Sequence, residues 1–463
     1  MEILESREHR AMMQKSILKQ YSNPLICFTM NIAGPVKTSP KIVRAFDYGL
    51  CQLEKQLIKY EIHTKNVEYD ICGPTAYISV SAPANDLKKI CTDIEESCPL
   101  GRLFDMDVLD QSGTKLARES ERSCIVCKKK GRSCAAGRLH PLEEILRITD
   151  ELITNHFIES DSEYISNIAK TSLLKEVLTT PKPGLVDQKN NGSHKDMSVD
   201  LFIKSAKALK PYFKACTKIG IETQVKSSEE TFNLLRNLGL NAEQDMYRST
   251  SGINTHKGII YSLGIICGAI GRLWTVEEPI AETKDILNMC KKIVKSSTEQ
   301  DFANISPVTA GAKAYLNYGW RGIRGEVEDG FPSIFNVSLP ILKNSIGDNK
   351  PIFEKNSVDT ENNEKDRFCN ILSDKENDAG VLALLHLMAN IMDTCVYNRG
   401  GKEGVLYVQK TAKDLLQSNQ ITKGMVEEID LCFIKKNLSP GGAADLLAIT
   451  YFLNDITSIL KNK

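Results

Sequence analysis

FIESDSEY, residues 157–164, is the stretch that divides this chain. Phe157, Ile158 and Tyr164 are its only large apolar side chains. Glu159, Ser160, Asp161, Ser162 and Glu163 fill the space between. So polar and acidic a run reads as a boundary, and 463 residues exceed what one ordinary core accommodates. On its N-terminal side, helix and strand patterns mix. Residues 5–21 have helical spacing and 25–32 (LICFTMNI) read as a strand. A helix over 42–59 follows, then alternating segments at 67–72 and 76–81. Residues 84–97 predict a helix, 103–109 a strand and 142–153 another helix. That mixture predicts an α+β domain. On the C-terminal side strand signals are scarce, and long apolar helices alternate with polar, glycine-rich loops. The expected chain is multidomain: an α+β domain over 1–158, then a mostly all-α domain over 164–463. Residues 344–366, poor in apolar groups, are expected to form a mobile insertion.

Composition narrows the function. Hydrophobic residues make up 41% and charged ones 25%, as in a soluble globular protein. Lys+Arg and Asp+Glu both number 59, so no global field favours nucleic acid or an anionic membrane. Phosphate binding must therefore be local. The N-terminus has no signal-peptide core, and no apolar run reaches transmembrane length. The nearest, 258–270, is broken by Ser262, Gly264 and Gly268. The 14 cysteines then read as reduced thiols in a cytoplasmic protein, with one metal cluster open to them. Neither G-x-x-x-x-G-K-[ST] nor G-x-G-x-x-G occurs, so ATP would not sit on a P-loop or a Rossmann turn.

In the first half, GRLFDMDVLD (101–110) places Asp105 and Asp107 two apart on a strand, hence on one face. Two carboxylates on a rigid strand suit a Mg²⁺ carrying a triphosphate, an arrangement frequent in nucleotidyl transfer. Glu95 and Glu96 are upstream candidates for the same shell. Arg102, Arg118 and Lys37 are candidate phosphate partners. Cys124-x-x-Cys127, Cys134 and His140 offer a four-ligand set for zinc, against the alternative of reduced structural thiols. KKKGR (128–132) inside that set suits an acidic protein partner.

In the second half, LKEVLTTPKPGLVDQKNNGSHKDM (174–197) packs Asp187, His194 and Asp196 into a loop stiffened by prolines. Such a loop suits a phosphate-bearing, metal-bound substrate. SGINTHKG (251–258) brings Asn254, His256 and Lys257 to the start of a helix, where free N–H groups favour anions. Gly264, Gly268 and Gly271 in that helix predict close approach of a neighbour. Arg321 and Arg324 in YGWRGIRGEVEDGFPS (318–333) fit phosphates, and Glu326 suits a metal or a ribose hydroxyl. The run 379–398 is apolar almost all round and predicts one buried helix carrying His386, Asn390 and Asp393 as a polar stripe. Arg399 follows it. NLSPGGAADLL (437–447) opens another helix with Ser439 at a phosphate-friendly turn and Asp445 just inside.

Residues 1 to about 155 resemble the citrate lyase carrier-protein phosphoribosyl-dephospho-CoA transferase family through NIAGPVKTSP, the GP of CGPTAYI, EESCPLGRLFDMDVLD and the C-x-x-C…C…H tail. Residues from about 165 onward resemble triphosphoribosyl-dephospho-CoA synthase through EVLTTPKPGLVDQKNNGSHKDM, SGINTHKG, TAGAKAYLNYG-x-RGIRGE-x-x-x-GFP, the Asp393 segment with RGG, and LSPGGAADLLA. The resemblance implies a bifunctional transferase. Its second half would join ATP to 3′-dephospho-CoA with release of adenine. Its first half would move the product to a serine of the apo acyl carrier subunit of citrate lyase, releasing pyrophosphate. Asp187, Asp196 and Asp393 would be the carboxylates of the ribosyl transfer, partly through Mg²⁺, with His194 beside them. Lys257, Arg321, Arg324 and Arg399 would hold phosphates, and Asp105 and Asp107 would hold Mg²⁺ for the second transfer. A rival reading is a helical ADP-ribose-type hydrolase fused to a nucleotidyltransferase. A zinc module that binds protein or RNA is a further rival for the first half, and zero net charge speaks against RNA.

Overall fold

In the computed structural model, residues 2–348, 353, 371–418 and 420–458 are described. The chain divides into two compact units, Met1–Ser160 and Asp161–Lys463. Most of the expected insertion at 344–366 lies outside the described residues; its first residues close a helix ending at Gly347.

The first unit is built from α1 (Glu2–Tyr21), β1 (Leu25–Met30), α2 (Pro40–Leu57), β2 (Glu61–Asp70), β3 (Gly73–Ser81), α3 (Ala84–Ser97) and β4 (Phe104–Leu109). The four strands form one antiparallel sheet in the order β2-β3-β1-β4. A βαββαβ chain in that order interlocks two split βαβ units, the ferredoxin-like arrangement. Strand β2 starts six residues earlier than its sequence pattern suggests and ends two earlier. It is an edge strand with mostly exposed side chains, so pairing with β3, not apolar alternation, defines it.

On the face covered by α2, Phe28 of β1 stacks on Phe46 of α2 at 4.6 Å and meets Phe104 of β4 edge-on at 5.5 Å. Phe104, Met106 and Val108 are fully buried there, which leaves Asp105 and Asp107 on the opposite face, paired in register with Thr29 and Cys27 of β1. Because β4 is an edge strand, Met106 has backbone groups to satisfy. Glu95 of α3 accepts from its N–H at 2.7 Å and Lys88 of α3 donates to its carbonyl at 3.2 Å. After β4 come a hairpin, the short helix α4 (Gly131–Ala136) and α5 (Leu142–Leu178).

Helix α5 passes through the stretch read as a polar boundary. Its acids are not idle: Trp274 Nε1–H donates to Asp161 at 2.7 Å, Lys210 and Lys214 pair with Glu163, and Ser162 is fully buried. Tertiary partners thus make a polar octapeptide helical.

Otherwise the second unit is helical among its described residues: α6 (Val199–Glu222), α7 (Ser228–Ser249), α8 (Lys257–Leu273), α9 (Thr283–Ala303), α10 (Ala310–Tyr318), α11 (Gly322–Asp329), α12 (Leu339–Gly347), α13 (Asp374–Asn390), α14 (Thr394–Leu416), α15 (Lys423–Lys435) and α16 (Gly441–Ser458). The glycines of α8 do what their spacing predicts. A Cβ on Gly264 would strike the Tyr212 hydroxyl at 2.1 Å, and one on Gly271 the Thr217 carbonyl at 2.1 Å, so α6 and α8 touch through backbone.

One expectation is corrected. The run 379–398 is two helices, α13 and α14, bent by 54°. Ile391 is extended, and Asp393 is the N-cap of α14, accepting from Cys395 N at 2.7 Å and Val396 N at 3.2 Å. The predicted His386–Asn390–Asp393 stripe does not exist, because a capping carboxylate competes successfully with continued helix. Among the described residues no single helix is long and apolar enough to cross a membrane.

Candidate active sites

A cavity of about 980 Å³ lies within the first unit. Asp105 and Asp107 line it from β4, and Arg102, Arg118 and Arg122 line it from the segments flanking that strand. Buried Glu95 organises the arginines: it pairs with Arg118 at 3.2 Å and also with Arg122. Arg102 donates to the carbonyl of Ser123. The three guanidiniums crowd one another. Burial and then the charges of Arg122 and Arg118 push the Arg102 pKa below its usual value. Arg118 Nε is buried with no hydrogen-bond partner. A cationic cluster with a donor to spare calls for an anion. Opposite it, Asp107 holds Lys115 Nζ at 2.5 Å and Asp105 faces Arg122 at 4.0 Å, so the strand face already gathers cations.

Two expectations for this half change. Glu95 serves the arginine wall and not a metal shell: Oε1 takes the Met106 N–H and pairs with Arg122, and Oε2 faces Arg118 at 3.2 Å. Lys37 does not line the cavity; its ammonium donates to the Ile32 carbonyl of its own loop. The sulfurs of Cys124, Cys127 and Cys134 and a ring nitrogen of His140 do converge, all within 4.8 Å of one another.

The second unit holds a cavity of about 1080 Å³. Lys257 and Asn254 line it from the start of α8, Arg321 and Arg324 from α11 and the turn before it, and Arg399 and Ser439 from α14 and the turn before α16. Lys257 pairs with Glu243 at 2.8 Å, Arg321 with Glu328 at 3.0 Å and Arg324 with Asp301 at 3.3 Å. His194 sits between two of these groups. Its Nδ1 is 3.1 Å from Arg399 Nη2 and its Nε2 is 2.8 Å from Ser439 Oγ. Burial, then the Arg399 charge, lowers the His194 pKa and keeps the ring neutral. Arg399 also donates to the Ser193 carbonyl at 2.9 Å and to Asn437 at 2.7 Å, so much of its fork is spent on holding this wall together.

Several expected site carboxylates turn out to be staples. Asp187 is buried and accepts from the backbone N–H groups of Lys182, Lys189 and Asn190 at 2.9, 2.8 and 3.0 Å. It fixes the loop and does not reach the cavity. Asp393 is likewise saturated: beyond its two cap bonds, its second oxygen accepts from Ala443 N at 3.0 Å and so ties α14 to the start of α16. Glu326 accepts from Ser333 Oγ at 2.6 Å and pins a turn. Asp196 is exposed beside His194. His256 lines the cavity, but burial depresses its pKa to about 3, so it offers phosphate no charge.

The residues that sequence reasoning missed are deeper. Lys182, only 1% exposed, donates to the Glu176 carbonyl at 2.7 Å and forms an ion pair with the Glu176 carboxylate; both line the cavity. Asp445 lies beside them. A Cβ on Gly258 would meet its Oδ2 at 2.0 Å, so only a glycine at the start of α8 admits it. Burial first, then the negative charges of Glu176 and Asp393, raise the Asp445 pKa well above the carboxylate range. Among the described residues no hydrogen bond or ion pair reaches its carboxylate. The one available signal was that Asp445 stands in the first turns of a helix after a Ser-Pro-Gly-Gly turn; nothing in the sequence links it to Glu176 and Lys182.

Residues 1–156 match the family described as apo-citrate lyase phosphoribosyl-dephospho-CoA transferase, and residues 162–359 and 364–463 match ATP:dephospho-CoA triphosphoribosyl transferase. The chain belongs to these two families, joined in one polypeptide. It is 33% identical to the protein named CitXG of Haemophilus influenzae, across 97% of this chain and 94% of that one. It is 32% identical to the CitXG of Leuconostoc mesenteroides subsp. cremoris, across 98% and 96%. The second unit is similar to the 2-(5′′-triphosphoribosyl)-3′-dephosphocoenzyme-A synthase of Escherichia fergusonii, 35% identical over 63% of this chain and 90% of that protein. The transferase unit therefore carries the arginine-rich cavity and the synthase unit the cavity of Glu176, Lys182 and Asp445. The rival of a hydrolase fused to a nucleotidyltransferase gains no support from these matches.

Proposed function

We propose that each cavity performs one of two consecutive transfers that build and attach the citrate lyase prosthetic group. In the synthase unit the 2′-hydroxyl of 3′-dephospho-CoA attacks C1′ of the ATP ribose, the glycosidic bond breaks, and adenine leaves with a proton. Asp445, whose carboxylate lines the cavity with no hydrogen bond or ion pair among the described residues, relays the hydroxyl proton to the departing adenine, and Glu176 places negative charge near the developing oxocarbenium. Lys257, Arg321 and Arg324 hold the triphosphate. Neutral His194 and Ser439 orient the ribose hydroxyls.

In the transferase unit a serine hydroxyl of the apo acyl carrier subunit attacks the phosphate next to C5′′, and pyrophosphate leaves. Arg102, Arg118 and Arg122 bind the triphosphate. Asp105 and Asp107, whose face already gathers cations, are the residues that would hold Mg²⁺. That ion would neutralise charge on the leaving pyrophosphate. We read the chain as a cytoplasmic enzyme.

The observation that carries this reading is the crowding of Arg102, Arg118 and Arg122 opposite two aspartates on one strand face, which fits an anion carried by a divalent cation. Mass spectrometry of apo carrier incubated with the protein, ATP and dephospho-CoA tests it. The expected mass gain is that of phosphoribosyl-dephospho-CoA, with adenine and pyrophosphate released. Equal adenine release without dephospho-CoA would restore the hydrolase reading.

A further inference from the structure

Between residues 111 and 141 only Cys134 is buried. A segment of that length with one buried side chain has no hydrophobic core of its own, yet it is folded. The N–H of Cys124 donates to the Lys129 carbonyl at 2.6 Å, Gly131 N to the Arg122 carbonyl at 2.9 Å, and Ser123 bridges Lys130. This small hairpin runs straight into α4, which carries Cys134, and His140 closes the segment before α5. Small units without a core usually fold around disulfides or a metal.

We propose that Cys124, Cys127, Cys134 and His140 bind a structural Zn²⁺ that holds the arginine wall of the transferase cavity in place. The four ligand atoms lie within 4.8 Å of one another, and the Cys127 and Cys134 sulfurs are 3.4 Å apart. A tetrahedral zinc with bonds of about 2.3 Å to sulfur has edges of roughly 3.8 Å, so little movement closes the site. His140 Nε2 is buried with no hydrogen-bond partner, while its Nδ1 faces Glu144 at 3.6 Å. That is the order expected of a ligating histidine, one nitrogen to the metal and the other to an orienting carboxylate. Three sulfurs and one nitrogen in a closed tetrahedron leave no open position, which makes the role structural.

The link to the cavity is short. Arg122 stands on the hairpin, and Arg102 donates to the carbonyl of Ser123, next to the first ligand. Arg132 and Arg138 line the same cavity from α4 and the turn after it. This role rests on the reading of that cavity as the triphosphate site; the metal site itself does not.

Metal analysis of the full chain, purified without chelator, is the test. It should find about one zinc per chain, and Co²⁺ substitution should give thiolate-to-metal charge-transfer absorption with tetrahedral ligand-field bands. Cys124→Ser with Cys134→Ser should lose the metal. Because that variant can unfold the hairpin, Glu144→Gln serves as the gentler one and should weaken zinc binding by about tenfold with the circular dichroism unchanged. Binding of inorganic tripolyphosphate to the full chain carrying Lys257→Ala and Arg321→Ala, which removes the hold of the synthase cavity, followed by calorimetry, should weaken by about tenfold on zinc removal and recover on its return. A folded wild-type chain with neither zinc nor the cobalt spectrum, or with a Cys127–Cys134 disulfide, would overturn the metal site. Unchanged tripolyphosphate affinity on zinc removal would overturn its role in the wall. Absent tripolyphosphate binding with zinc present would count against the triphosphate cavity alone.

Discussion

Arg399 selects the tautomer of His194. A guanidinium has donors only, so the His194 Nδ1 at 3.1 Å must accept, and the ring proton must be on Nε2, where it is donated to Ser439 Oγ at 2.8 Å. The Ser439 hydroxyl is thereby left free to donate onward, into the cavity that it lines. His194 is then no base toward Ser439, and the three residues form a polarised chain aimed at the substrate.

Arg399→Lys should break this chain, because an ammonium cannot span His194, the Ser193 carbonyl and Asn437 together. Adenine release is expected to fall by at least an order of magnitude. Nitrogen NMR of His194 should show a protonated Nε2 and a bare Nδ1 in the wild type, and exchange between tautomers in the variant. Wild-type turnover in Arg399→Lys would remove the chain from the mechanism.

Asp445 and Asp393 should respond in opposite ways to the same change. Asp445→Asn is expected to lower adenine release by at least a hundredfold with the fold intact, since it removes a half-buried carboxylate that no partner needs. Asp393→Asn places an amide among converging backbone N–H donors and should cost about 1–3 kcal/mol of stability, with turnover per folded molecule retained. Denaturant melts together with adenine release by folded protein separate the two. An inactive but stable Asp393→Asn would return that residue to the reaction.

His256 should make the synthase unit acid-sensitive. Its folded pKa is depressed to about 3 by burial, with Lys182 adding to the effect, from an ordinary 6.5. Below 6.5 the unfolded chain takes up a proton that the folded one refuses. Stability is therefore fully present above that value and is lost as the pH falls toward 3. Between pH 6.5 and 5 the loss should reach about 2 kcal/mol. Urea midpoints measured across that window check it, and His256→Gln should flatten the slope.

Asp105→Asn combined with Asp107→Asn should stop labelling of the carrier and leave adenine release untouched. Free triphosphoribosyl-dephospho-CoA should accumulate. Normal labelling would take the pair out of the second transfer, and loss of both activities would mean that the two cavities do not work independently.

The sequence by itself determined what depends on near neighbours. Period-two alternation put Asp105 and Asp107 on one face of β4. Helical spacing marked α3 at 84–97, and a glycine stripe announced the α6–α8 contact. Long motifs sufficed for the family. Tertiary structure decided everything that depends on who stands opposite. Residues 157–164 are helical because Trp274, Lys210 and Lys214 answer their acids, and an apolar run breaks at Asp393 because Ala443 offers it an N–H from another helix. Asp187 and Asp393 looked like site carboxylates and prove to be saturated by backbone donors. Glu176 and Lys182 looked ordinary and line one cavity together with Asp445, which the sequence marked only as part of a turn. A carboxylate's chemistry is set by whether its oxygens are already engaged and by how much water surrounds it, and neither is encoded within a few residues of it.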